Sequence, residues 1–345
     1  MTNKHNSLLT ALLKYGMPLV VSVGLCWLLF RNFDFDMMWQ TICSECHFVW
    51  IALMLGITVF SHVFRAMRWK IQLQALGIEV PLFTVVLSIF GTYAVNLVFP
   101  RLGEVWRTGY IANRQQASFS QVFGSMVAER LADTFTVALL TLTTLILASQ
   151  TIIFYLSQNS ASFDTAVKIL SSPWLWIMLV IATLLLWQFF SKCSNNKTIV
   201  KFKQLISGLW AGFAVITSMR GKVRWLLLTV GIWGCYFVQM FVSFFAFDFT
   251  AEIFEQWGIT AVLVTFVLSS ISMGVPSNGG IGPWQWAVIF ALGIYGLNAT
   301  PAATFANLVL GCNTLLLIVL GLFTCVAVAI ERRNNSSELN KPNKI

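Results

Sequence analysis

Three groups of charged residues, and one group of glycines, carry the spacing from which chemistry could follow in this chain. In Arg65-x-x-Arg68-Trp69 the interval of three puts both guanidinium groups on one helix face. Guanidinium matches the geometry of phosphate oxygens, so a lipid head group could dock there; the plainer reading is a pair of interfacial anchors. In Asn96, Pro100, Arg101, Gly103, Glu104 and Arg107 a Pro-x-x-Gly break precedes Glu104 and Arg107, which are close enough to pair on a helix. The amides that open such a helix would attract an anion; ordinary capping after a turn is the alternative. In Glu129-Arg130-x-x-Asp133 the two carboxylates share a helix face and repel unless Arg101, Arg107 or a proton intervenes. That arrangement suits ion pairing or proton coupling, or a structural network locking neighbouring helices. Pro276, Gly279, Gly280 and Gly282 form a second break whose glycines permit close backbone approach.

Other chemistry is weakly marked. Cys43-Ser44-Glu45-Cys46-His47 has the C-x-x-C-H spacing of covalent haem attachment, with a loop disulfide or two free thiols as the alternatives. Gly279-Gly280-x-Gly282 lacks the Lys and Ser/Thr of a phosphate-binding loop and follows no strand pattern. The three histidines are too scattered for a metal site, and no cofactor is expected.

The elements that must position these residues follow from composition. Of 345 residues 57% are hydrophobic and 10% charged, against about 25% charged in soluble domains. Apolar runs at 15–30, 48–63, 122–147, 174–190, 225–247 and 303–330 approach the ~20 residues of a spanning helix. They lack the alternation of a membrane barrel. The expectation is an all-α polytopic integral membrane protein with about six full spans and two re-entrant or broken-helix hairpins. The first run reads as a retained signal anchor, because no small-x-small site follows it. The net charge of +9 fits cytoplasmic loops and anionic lipid rather than nucleic acid.

The Lys/Arg bias of loops orients the chain in the cytoplasmic membrane with both termini inside. The acidic loops 31–47 and 248–255 then lie outside. The basic segment with Lys192, Lys197, Lys201, Lys203, Arg220, Lys222 and Arg224 lies inside, and its stretch 198–217 has the spacing of an amphipathic interfacial helix. A full crossing by 82–99 would put Arg101, Arg107 and Arg114 outside, whereas a hairpin turning at Pro100 to Gly103 keeps them in. Residues 1–149 read as span, span, hairpin, span. Residues 150–333 repeat that order from the opposite side, and 334–345 form a polar tail. Paired interrupted segments in two inverted halves point to a transport site.

The motifs at Arg65 to Trp69, Asn96 to Arg107, Glu129 to Asp133 and Pro276 to Gly282, taken in order, resemble the lysylphosphatidylglycerol synthetase transmembrane-region family. The flippase-like membrane proteins belong to that family. The resemblance implies a module that moves lipids between leaflets, here without the soluble synthetase domain of the bifunctional members, and membrane lipids, anionic or polyprenyl-linked, as partners. Two other classes compete: a membrane enzyme modifying a lipid or glycolipid head group with Glu104 or Asp133 as general base, and an outer-face redox protein using Cys43 and Cys46.

Overall fold

The computed structural model describes residues 35–99, 101–149, 219–275 and 277–339 together with Pro173, with side chains as far as Glu331. The apolar runs 15–30 and 174–190, the basic stretch 198–217, the turn prolines Pro100 and Pro276 and the last six residues lie outside the described part. Every regular element among the described residues is helical. In chain order these are α1 (Phe35–Glu45), α2 (Phe48–Ala75), α3 (Leu82–Val98), α4 (Leu102–Arg114), α5 (Phe119–Leu147), α6 (Lys222–Ser243), α7 (Asp248–Trp257), α8 (Ile259–Ser272), α9 (Pro283–Ile294) and α10 (Ala299–Leu339).

Four of them are long and apolar enough to cross a bilayer: α2, α5, α6 with its 3₁₀ extension to Ala246, and α10 as far as Glu331. The pair α7 and α8 qualifies only jointly and is bent by 113°. Leu139, Ile146, Leu226, Val230, Leu315 and Val319 on these helices are more than half exposed. In water such surfaces would aggregate; against acyl chains they are at home. The protein is therefore an all-helical integral membrane protein. Two segments read as outer loops are in part helices. In α1, Met38 packs against the core that buries Ile42; in α7, Thr250 and Ile253 are buried. These elements are too short and too polar on their outer faces to stand out as apolar runs. The backbone of α10 also stays helical through Leu339, into the segment read as polar tail.

α2 and α6 pack along most of their length. His47 N–H donates to the Ala246 carbonyl at 2.9 Å, Gln239 to Thr58 at 2.5 Å, Arg65 to Tyr236 at 2.9 Å and Arg68 to Thr229 at 3.3 Å. Residue numbers rise along α2 as they fall along α6, so the two helices are antiparallel.

The remaining contacts are reciprocal. α3 lies on α10 and α8 on α5, while α4 lies on α5 and α9 on α10. α4 and α9 also end alike. Ala117 N–H reaches back to the Ala112 carbonyl at 2.9 Å with Gln116 at φ 50°, and Leu297 N–H reaches the Leu292 carbonyl at 3.2 Å with Gly296 at φ 87°. A left-handed residue closing a helix in this way is a Schellman turn. In both cases the next helix begins at once, with the carbonyls of Ser118 and Asn298 accepting from Val122 and Ala302.

Candidate functional site

The spacing of three on α2 and of four on α5 brings two charged faces together inside the bundle. Arg65 Nη1 lies 3.0 Å from Glu129 Oε1 and 3.1 Å from Asp133 Oδ2. Arg68 Nη2 lies 3.1 Å from the same Glu129 oxygen and 2.8 Å from Asp133 Oδ1. Arg107 on α4 completes the cluster, its Nη2 donating to Glu129 Oε2 at 2.9 Å. None of these five side chains is more than slightly exposed, and Arg68, Arg107 and Glu129 are fully buried. Arg65 and Arg68 are thus buried ion-pair partners, not interfacial anchors. Burying ions costs several kcal/mol each and is tolerated only with close pairing. Two carboxylates four residues apart on one helix coexist because two arginines bridge them.

Aromatic and hydroxyl groups finish the enclosure. Arg107 sits 4.5 Å above the Trp69 ring, whose indole N–H donates to Ser125 at 3.1 Å. Arg68 lies 5.6 Å from the Trp225 ring, and Arg65 donates to Tyr236. The weak quadrupole of a ring face offers a desolvated guanidinium some of what water would have supplied. Tyr236, Thr229 and Trp225 come from α6 and sit in an apolar run where no charge marks them. Sequence reasoning missed them for that reason.

Around the first turn the expected pairings change. Glu104 does not pair with Arg107: its Oε2 accepts from Asn96 Nδ2 at 3.3 Å and its Oε1 lies 3.7 Å from Arg130. The Asn96 side-chain oxygen accepts from Gly103 N–H at 2.8 Å, so one amide joins both legs and occupies a donor that was expected to await an anion. A Cβ on Gly103 would run into the Thr92 carbonyl, which accounts for the glycine. Arg101 takes no part in the carboxylate cluster. It is exposed, adopts φ 64°, and donates from Nη2 to the Gly274 carbonyl at 2.8 Å. Leu97 lies where a side chain on Gly279 would project. The turn between α3 and α4 and the turn between α8 and α9 therefore touch.

The second turn is held by polar uncharged groups. Gly279, Gly280 and Gly282 all have positive φ. Gly282 N–H donates to Gln285 Oε1 at 2.9 Å, and Gln285 donates to Asn307 on α10 at 2.5 Å. At the far end of α4, Arg114 pairs with Glu331 and ties that leg to α10.

Cys43 and Cys46 are free thiols, as are the other cysteines among the described residues. Cys43 is exposed on α1. Burial pushes the Cys46 thiol up to about 11. His47 faces Asp248 at 3.1 Å, linking the start of α2 to α7. Among the described residues no three His, Cys, Asp or Glu side chains group as metal ligands would.

No curated protein and no solved structure matches the chain. A family model described as lysylphosphatidylglycerol synthase TM region matches residues 17–321, which include every charged residue placed in this cluster. With that match spanning most of its length, the chain belongs to the lysylphosphatidylglycerol synthase transmembrane-region family.

Proposed function

We propose that this protein is a translocator of an anionic or polyprenyl-linked lipid in the cytoplasmic membrane, its two halves related as inverted copies. The observation that carries the reading is the buried ionic cluster, assembled from α2, α4 and α5 with hydroxyl and ring partners from α6. Charges held at this cost inside a membrane bundle most often serve a pathway. The antiparallel packing of α2 on α6, the exchange of partners between α3–α10 and α8–α5, and the matching turns after α4 and α9 support an in-plane two-fold relation. In that arrangement the touching turns lie where one half would rock against the other. Arg107, Arg68 and Arg65 then attract the head group, while the bond from Arg101 to Gly274 breaks and re-forms as the halves move.

Purified protein reconstituted into vesicles with fluorescent anionic and polyprenyl-linked lipids tests this. Exchange between leaflets should be accelerated by the wild type and lost in Arg107→Gln, with the unfolding temperature of the variant recorded beside it. Absence of exchange for every such lipid overturns the reading. A new lipid product that disappears with Glu104→Gln would favour head-group modification instead.

A further inference from the structure

A second site lies across α4 from the ionic cluster. Arg107 and Ile111 are buried in the bundle, so helical spacing puts Trp106, Gly109 and Asn113 on the other side of the helix. α4 and α10 both pack on α3, but a wedge keeps them apart. The Trp106 ring fills the space that a side chain on Gly91 of α3 would take, with the Thr324 methyl of α10 beside it. One turn before Thr324, Gly321 closes on Ala94. α10 therefore touches α3 closely there and stands off from α4 beyond it.

The gap is a groove of about 490 Å³, a size typical of small-molecule sites. Val105, Trp106, Tyr110 and Val328 line its length. Trp106 and Tyr110 stack on one another and give one wall a broad aromatic surface. At Gly109 nothing among the described residues comes within 4 Å of where a Cβ would stand. Toward the end of α4 the groove turns polar. Asn113 meets Arg114 and Glu331 there, and these two form an ion pair whose side chains are 31% and 35% exposed. Phe323, Val326 and Ile330 on the adjoining stretch of α10 are exposed, so the apolar part of the groove borders acyl chains rather than water.

We propose that this groove holds one zwitterionic phospholipid whose head group ends in a primary ammonium, the phosphatidylethanolamine class, with an acyl chain laid along Tyr110 and Trp106. The site is separate from the ionic cluster and does not rest on the transport reading. Charge complementarity selects the head group. Glu331 engages both terminal nitrogens of Arg114, yet a guanidinium carries further N–H groups and each carboxylate oxygen a second lone pair. A phosphate can add to the arginine and an ammonium to the carboxylate without breaking the pair, which gives an alternating network with no net charge. A choline head group has no N–H to donate to Glu331. A glycerol head group supplies no cation, and its phosphate would bring an uncompensated negative charge beside the same carboxylate.

Native mass spectrometry of the purified full chain in detergent, titrated with phosphatidylethanolamine, phosphatidylcholine and phosphatidylglycerol of matched acyl chains, tests this. Phosphatidylethanolamine should bind about tenfold tighter than either of the others, the size of one charge-assisted hydrogen bond. Glycerophosphoethanolamine, the same head group without chains, should fail to compete. Gly109→Leu fills the groove from a position with open space around it, so the unfolding temperature without lipid should hold while phosphatidylethanolamine binding falls about tenfold or more. Glu331→Gln keeps the groove but removes the acceptor for the ammonium and leaves Arg114 without its carboxylate. The preference should then move to phosphatidylglycerol by about tenfold. This second variant decides the matter even where Gly109→Leu fails to fold. Equal binding of phosphatidylethanolamine and phosphatidylcholine overturns the proposal, as does a preference unmoved by Glu331→Gln or by a folded Gly109→Leu. Competition by glycerophosphoethanolamine at the lipid's own concentration overturns it too, because the chain would then contribute nothing.

Discussion

Glu129 answers three arginines with two oxygens, all within 3.1 Å, whereas the third arginine of Asp133, Arg130, stands off at 3.9 Å. Replacing it with Gln leaves Arg65 and Arg68 with Asp133 as their one carboxylate and takes from Arg107 the carboxylate it bonds. Breaking a buried pair in this way costs about 3–5 kcal/mol, so Glu129→Gln should lower the unfolding midpoint in detergent far more than Arg130→Gln, whose side chain is itself partly exposed and stands 3.7 and 3.9 Å from its carboxylates. A smaller effect from Glu129 than from Arg130 would contradict the burial described here. Cys43 and Cys46 differ for a related reason. The thiolate is the nucleophile, and burial raises the Cys46 thiol to about 11, so at neutral pH it is almost wholly protonated. In single-cysteine variants a maleimide should label Cys43 readily near pH 7 and Cys46 slowly, the Cys46 rate climbing as pH rises toward 11. The C-x-x-C-H spacing was visible in the sequence; that one cysteine turns outward while the other packs near Cys312 depends on how α1 seats on α10.

At the scale of elements, both hairpins were legible because proline and glycine interrupt apolar runs and little else can turn a chain there. What the spacing could not supply was which helix each leg would lie on. Gly103 shows the consequence. Its missing side chain lets α4 close on the Thr92 carbonyl of α3, while Gly109, two turns along the same helix, has nothing within 4 Å of where a Cβ would stand. Gly103→Ala should therefore splay the hairpin and destabilise by about 1–3 kcal/mol, whereas Gly109→Ala should be neutral or stabilising by up to about 1 kcal/mol. Thermal unfolding of the two variants in the same detergent checks the contrast. The short helices α1 and α7 were read as loops because their buried faces offer two or three side chains each, too few to form a periodic signal.

For the whole molecule, inverted halves make a prediction about sidedness. Ser118 and Asn298 are exposed and begin the helices that follow equivalent turns. In a cysteine-free background, Ser118→Cys should react with a membrane-impermeant thiol reagent only from the cytoplasmic side, and Asn298→Cys only from the opposite side. Reaction of both from one side would sink the inverted arrangement. Sequence alone determined the solvent and the class, because long apolar runs with few charges have no other stable home than a helical membrane bundle. It also determined which polar residues had to be accounted for, since a charge in such a run is costly wherever the chain folds. Tertiary structure decided the pairings. Arg101 and Arg107 are equally plausible partners for Glu129 by spacing, yet one reaches the facing turn and the other the carboxylate. Tyr236 and Thr229 enter the cluster only because α6 lies antiparallel on α2. Pairing across helices depends on which faces meet. A one-dimensional pattern records each helix's own face but not its neighbour's.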